Sequence, residues 1–166
     1  YQRAGGGGDF PEAPEEAFET LNQLYWRTGD NVARIAFWIA DAPHHASNAA
    51  AFTTALRHTR DLGIHVYPIA SSGVDEMTEL TMRSSAQITG GRYMFLTDDS
   101  GVGGAHKEPS IPCYFVTKLD DAMVRMARRF TSRMGVGYSV LAWRTVILPR
   151  GVPAATRAPS AASTSP

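Results

Sequence analysis

The chain carries a single cysteine, Cys113, so no internal disulfide can close and no thiolate cluster with zinc spacing can form. It has no apolar run long enough to cross a bilayer, and its start, "YQRAGGGG", contains no signal-peptide core. Net charge is absent too: 16 basic residues cancel 16 acidic ones, which removes the overall field that would hold the chain on nucleic acid or an anionic membrane. Membrane insertion and nucleic-acid binding are therefore not expected. Phosphate-cradling and nucleophile motifs are missing as well. "GGGGDFPE" has neither the Lys and Ser/Thr of a P-loop nor the order Gly-x-Gly-x-x-Gly, and no Gly-x-Ser-x-Gly occurs. There is no initiating methionine, and a chain opening on a glycine loop reads as a fragment; compartment and oligomeric state stay unassigned.

What is present suits one domain of ordinary size. The 166 residues are 43% hydrophobic, enough for a core. Charge is unevenly spread. Residues 1–30 hold six acids against two arginines, whereas residues 118–166 hold eight basic residues against Asp120 and Asp121. A basic end of this kind can engage acidic surfaces, although short basic tails usually stay solvated.

Periodicity gives the order of elements. "DFPEAPEEAFETLNQLYWR" spaces Phe10, Ala13, Ala17, Leu21 and Leu24 three or four apart, with Glu12, Glu15, Glu16 and Glu19 between them. This predicts an amphipathic helix with its acids near the positive end of its dipole, Pro11 and Pro14 being tolerable in the first turns. "VARIAFWIAD" is an apolar run without alternation, the pattern of a parallel strand covered on both faces. A helix from Ser47 or Asn48 to Gly63, a strand "IHVYPIA" disturbed by Pro68, a helix ending at Gly90, a strand "RYMFLT" and a helix from near Asp120 complete the run. Such alternation requires right-handed crossovers, so the expected fold is α/β, a Rossmann-like open parallel sheet with flanking helices. The long loop 98–117 is rich in Gly, Pro and charge, as binding or moving loops are. A boundary near 133 separates this domain from a tail, 134–166, with a possible strand over 136–148 and then a Pro/Ala/Ser-rich stretch expected to be disordered.

Parallel strands point one way, so the segments that follow them gather on one rim, where ligands bind. Asp41, His44 and His45 follow the first strand, Ser71 and Ser72 the second, and Asp98, Asp99 and Ser100 the third. Asp9, before a helix leading back into the sheet, falls on the same side. Each also has a plain structural reading. Asp9 with Glu12 has the spacing of a helix-capping box, the histidines suit a loop, and Asp98 and Asp99 suit a turn. Asp41 is less easily explained this way, because a carboxylate ending a buried strand is costly to desolvate without a cation or hydrogen-bond partners.

The ordered strings "GGGGDFPEA", "LYWR", "FWIADAPHH", "LGIHVYPIASSG", "ITGGRYMFLTDDSGVG" and "HKEP" resemble the later half of a von Willebrand factor type A (vWA) domain. The closest branch is the one found in bacterial proteins and beside the atypical alpha-kinase catalytic domain. The resemblance covers residues 5 to about 130. It implies a doubly wound α/β fold that binds a protein ligand through a divalent cation, held on the rim by an Asp-x-Ser-x-Ser loop, a threonine loop and an aspartate loop. Asp41 matches the third-loop aspartate, and Asp9 falls where the second-loop threonine lies. The Asp-x-Ser-x-Ser strand would precede residue 1, so the N-terminal strands are missing; "DDSGV" at 98–102 follows the wrong strand and lacks the second serine.

What this implies is an incomplete metal-ion-dependent adhesion site of Asp9 and Asp41, binding Mg²⁺ or another divalent cation weakly, with waters filling most of its shell. An acidic residue of a protein partner would complete the coordination. Without its missing neighbour, "VARIAFWIA" is expected at a sheet edge, with the 136–148 segment available to cover it. The alternative function is a metal-assisted hydrolase using Asp41 with His44 or His45.

Overall fold

The structure is a computed structural model and describes residues 10–71, 73–98, 106 and 116–133. Its first helix, α1 (Pro14–Gln23), starts later than the apolar spacing suggests. The Glu12 N–H donates to the Pro43 carbonyl at 2.7 Å, and Glu12 pairs in parallel fashion with His44. A backbone committed to that bridge cannot also be a first helical turn. Ala13 occupies the N-cap position with no side-chain hydrogen bond, so the capping box expected from Asp9 and Glu12 does not start this helix. Phe10, expected on the apolar stripe, is 52% exposed, and the buried stripe is instead Pro14, Glu15, Phe18 and Leu21.

The remaining elements follow in the expected order: β1 (Arg34–Ala40), α2 (Ala49–Asp61) after a 3₁₀ turn at Ala46–Asn48, β2 (Ile64–Ala70), α3 (Glu76–Thr89), β3 (Met94–Phe95) and α4 (Leu119–Arg133). Asn48 is the N-cap residue of α2, as its composition suggests, but its side chain makes no capping bond. Asp75 does cap α3, accepting from the Thr78 N–H at 2.7 Å. Gly90 closes α3 in the left-handed region, φ 70°, where a Cβ would be strained. Its neighbour Gly91 is required for a different reason: a Cβ there would overlap the Val66 carbonyl oxygen and lie 2.6 Å from its carbon.

The strands form a three-stranded parallel sheet in the order β1-β2-β3. The pairing runs from Arg34 with Ile64 to Ala40 with Ala70, and continues with Ile69 opposite Met94 and Ala70 opposite Phe95. Pro68 sits in the central strand without breaking it. The Leu96 N–H bonds the Ala70 carbonyl, so the even-numbered residues of β2 turn their peptide groups toward β3. The β3 ladder begins only at Ile69, so the N–H that Pro68 lacks has no ladder partner to lose. Val66, also even-numbered, donates to the Thr89 hydroxyl at 3.0 Å instead.

Alternation along the strands divides the core in two. On one face Ala36, Ile64 and Val66 pack with Phe18, Leu21, Phe52, Ala55 and Leu56 of α1 and α2, and Ala70 packs with Val74 and Met82 beside α3. Phe18 is set edge-on to both Trp38 and Phe52, with ring centroids 5.3 and 5.5 Å apart. On the other face Tyr67, Ile69 and Met94 pack beneath Leu119, Ala122, Met123 and Met126 of α4. Successive strands shifting one way with right-handed crossovers put α2 and α3 on one face, and among the described residues α4 covers the other. The α/β architecture with an open parallel sheet and flanking helices is therefore present.

Two details differ from expectation. The third strand is only two residues long rather than the whole of "RYMFLT". Strand β1 packs on both faces, Ala36 and Trp38 on one and Ile35 and Phe37 on the other, but it stands at the edge of the sheet among the described residues and Ile39 at its carboxyl end is 44% exposed. Its edge position is the one expected for "VARIAFWIA". The tail 134–166, including the strand anticipated at 136–148, lies outside the described residues, as does Cys113. No helix among the described residues is long and apolar enough to cross a membrane.

Candidate functional site

The carboxyl ends of the strands form the rim to which the sequence assigns its chemistry. Asp41 follows β1 directly and is exposed. Its carboxylate stays in water, so the desolvation cost expected of an acid ending a buried strand does not arise here. Among the described residues Asp41 makes no hydrogen bond or ion pair, which leaves both oxygens open to a ligand. Asp9, Ser72, Asp99 and Ser100 lie outside the described residues. Ser71 donates its hydroxyl to the Ala40 carbonyl at 3.0 Å, and its N–H bonds the same oxygen, so it locks the end of β2 to the end of β1.

Asp98 leaves the end of β3 exposed, and accepts from the His106 backbone N–H at 2.8 Å while its Oδ1 lies 3.2 Å from His106 Nδ1. The backbone bond first, then the imidazole, holds the Asp98 carboxyl below its ordinary value. His106 itself is buried. The rim thus carries exposed carboxylates at both ends, Asp41 and Asp98, and the structure does not join them through one hydrogen-bond network among the described residues.

His44 has one of its ring nitrogens buried. Its ring stacks on Phe52 with centroids 5.1 Å apart and planes 20° apart, and its Nδ1 is buried without a hydrogen-bond partner. That nitrogen is not presented to a substrate on the rim. The loop 41–45 is anchored from the other side by the bond between Glu12 and Pro43. The segment entering α1 and the loop leaving β1 are consequently one structural unit.

Beneath this unit is a group that sequence reasoning missed. Glu15 reads as a solvated acid of the polar helix face, yet it is 6% exposed. Its Oε1 accepts from Asn48 Nδ2 at 2.6 Å, while Asn48 Oδ1, the atom that would cap α2, accepts from the Ser47 hydroxyl at 3.1 Å; the Glu15 Oε2 is buried without a partner. Only the docking of α1 on α2 buries it. That docking is fixed by Asn22, which donates to the Ala55 carbonyl at 2.9 Å and accepts from the Thr59 hydroxyl at 2.8 Å. No local pattern distinguishes Glu15 from Glu16 or Glu19.

The opposite rim, at the amino ends of the strands, has a cleft of about 760 Å³ between α4 and the turn from α3 into β3. Arg92, Arg125, Arg128 and Arg129 line it, with Asp121 as its acid. His65 stands nearby, its ring 4.1 Å from that of Phe130. Burial lowers the His65 pKa from 6.5, partly offset by the backbone of Gly90 and Thr89, although Nδ1 completes no hydrogen bond.

Among the described residues no group of three or more His, Cys, Asp or Glu side chains is placed to hold a metal ion. Asp41 is the member of the expected Asp9 and Asp41 pair that the described residues include, and it supplies one open carboxylate. No family model, curated protein or solved structure matches the chain.

Proposed function

We propose that the chain is a non-enzymatic protein-binding module of the vWA kind, whose rim holds a divalent cation weakly between Asp41 and Asp9. A carboxylate of the partner would complete the ion's shell, with waters in the remaining positions. The observation that carries this reading is the bond between Glu12 and Pro43, which brings the N-terminal segment to the loop bearing Asp41. Asp9 is three residues from Glu12, and three residues of chain reach at most about 10 Å. The exposure of Asp41 supports the reading further, because an ion that bridges two proteins needs an open face. The stacking of His44 on Phe52 with its Nδ1 buried takes that nitrogen out of acid–base use, which favours binding over hydrolysis.

The cation itself is the probe. Mn²⁺ added to the ¹⁵N-labelled chain should broaden amides of residues 10–12 and 41–45, with competition by Mg²⁺ and with loss of the effect in both Asp41→Ala and Asp9→Ala. Broadening that survives Asp41→Ala, or none localised to that loop, would remove the cation site. Turnover of simple ester or phosphoester substrates that disappears in the His44→Ala/His45→Ala double variant would replace the binding module with a hydrolase.

A further inference from the structure

We infer that the cleft at the amino ends of the strands is a binding site for a small phosphorylated solute, clamped between Arg92 on one wall and Arg125 and Arg129 on the other. The site is separate from the cation rim and does not rest on it. Its basis is an accumulation of charge that the fold leaves unanswered. Arg125 and Arg129 are four apart on α4, so they share a face and repel, and Arg128 adds a third cation within the same turn. None of the four arginines forms an ion pair among the described residues, although Asp121 also lines the cleft.

Attraction of cations to the carboxyl end of a helix accounts for part of this pattern. It covers Arg128 and Arg129, near the end of a helix that finishes at Arg133. It does not cover Arg125, near the middle of that helix, nor Arg92, which comes from the segment between α3 and β3. Two chain segments distant in sequence thus deliver guanidinium groups to one concavity. Its volume of about 760 Å³ is within the range of small-molecule sites.

Guanidinium groups present parallel N–H donors that match phosphate oxygens, and a triphosphate would relieve the mutual repulsion of the arginines. The floor includes Tyr67 and Phe130, so an occupant with an apolar portion beside its phosphates also fits. Carboxylates are weaker candidates because they carry less charge toward the four arginines and offer fewer acceptor oxygens, although Asp121 repels them less than it repels a phosphate.

Inorganic tripolyphosphate titrated calorimetrically into the full chain at low salt tests this. One saturable site is expected, weakened about tenfold by Arg92→Gln and about tenfold or more by Arg125→Gln/Arg129→Gln, and further weakened by raising the salt. Arg57→Gln, an exposed arginine on α2, should leave the affinity unchanged. Circular dichroism checks the fold of each variant; should the double variant unfold, Arg92→Gln on the opposite wall carries the test alone. Absence of saturable heat, or an equal loss in Arg57→Gln, overturns the proposal. So does arginine-dependent binding of RNA or of anionic vesicles without any binding of tripolyphosphate.

Discussion

Replacing Gly91 by alanine isolates one contact on which the sheet depends. Gly91 lies where the chain leaves α3 for β3, with its N–H bonded to the Ala86 carbonyl at 2.8 Å. An added Cβ would overlap the Val66 carbonyl oxygen and sit 2.6 Å from the carbonyl carbon, inside the 3.0 Å below which Cβ contacts essentially never fall. Val66 is in the central strand, fully buried and clamped by β1, so the turn must give way by about 1 Å. That movement draws β3 from β2 at the start of a two-residue ladder and strains the Leu96 to Ala70 bond and the packing of Met94 on Tyr67 and Ile69. Loss of two backbone hydrogen bonds at about 1 kcal/mol each, plus overpacking of about 1 to 3 kcal/mol, gives about 3 kcal/mol or more.

Gly90→Ala is the internal control. There the cost is the left-handed backbone, about 1 to 2 kcal/mol, together with an approach of 3.1 Å to His65 Nδ1, which can yield. Urea unfolding followed by tryptophan fluorescence reports on both, since Trp38 packs against Phe18 in the core. The expected order of midpoints is wild type, then Gly90→Ala, then Gly91→Ala, with unchanged slopes. A Gly91→Ala protein within about 1 kcal/mol of wild type, or equal to Gly90→Ala, would refute the argument that Val66 and Gly91 must approach this closely.

Two further outcomes follow from buried polar groups. Burial holds the His65 pKa below 6.5, so its folded state prefers the neutral ring; the stabilisation is present above 6.5 and is lost as pH falls through the folded value. Urea midpoints should therefore decline between neutral pH and about pH 5 more steeply in wild type than in His65→Phe, and parallel declines would count against it. At Glu15, alanine removes the acceptor for Asn48 and should cost about 1 to 3 kcal/mol, whereas Glu15→Gln keeps that acceptor. Thermal melts should place Gln well above Ala; equal losses would show that the bond to Asn48 is not what makes Glu15 stabilising.

The order of helices and strands and the αL glycine that ends α3 were readable along the chain, because each rests on local spacing or on backbone conformation that a residue type imposes. The start of α1 was not readable. The same residues that suit a helical turn also suit a bridge, and what chose between them was Pro43, distant in the chain but adjacent in space. For the same reason Glu15 could not be told from its neighbouring glutamates until α2 covered it, and Asp41 could not be known to stay in water.

The cleft of arginines shows the division most plainly. Sequence supplied a basic end and an unremarked Arg92, and nothing in their spacing joins them. Charges are summed in space, not along the chain, so only the passage of α4 back across the sheet to the amino ends of the strands decided that these cations would face one another.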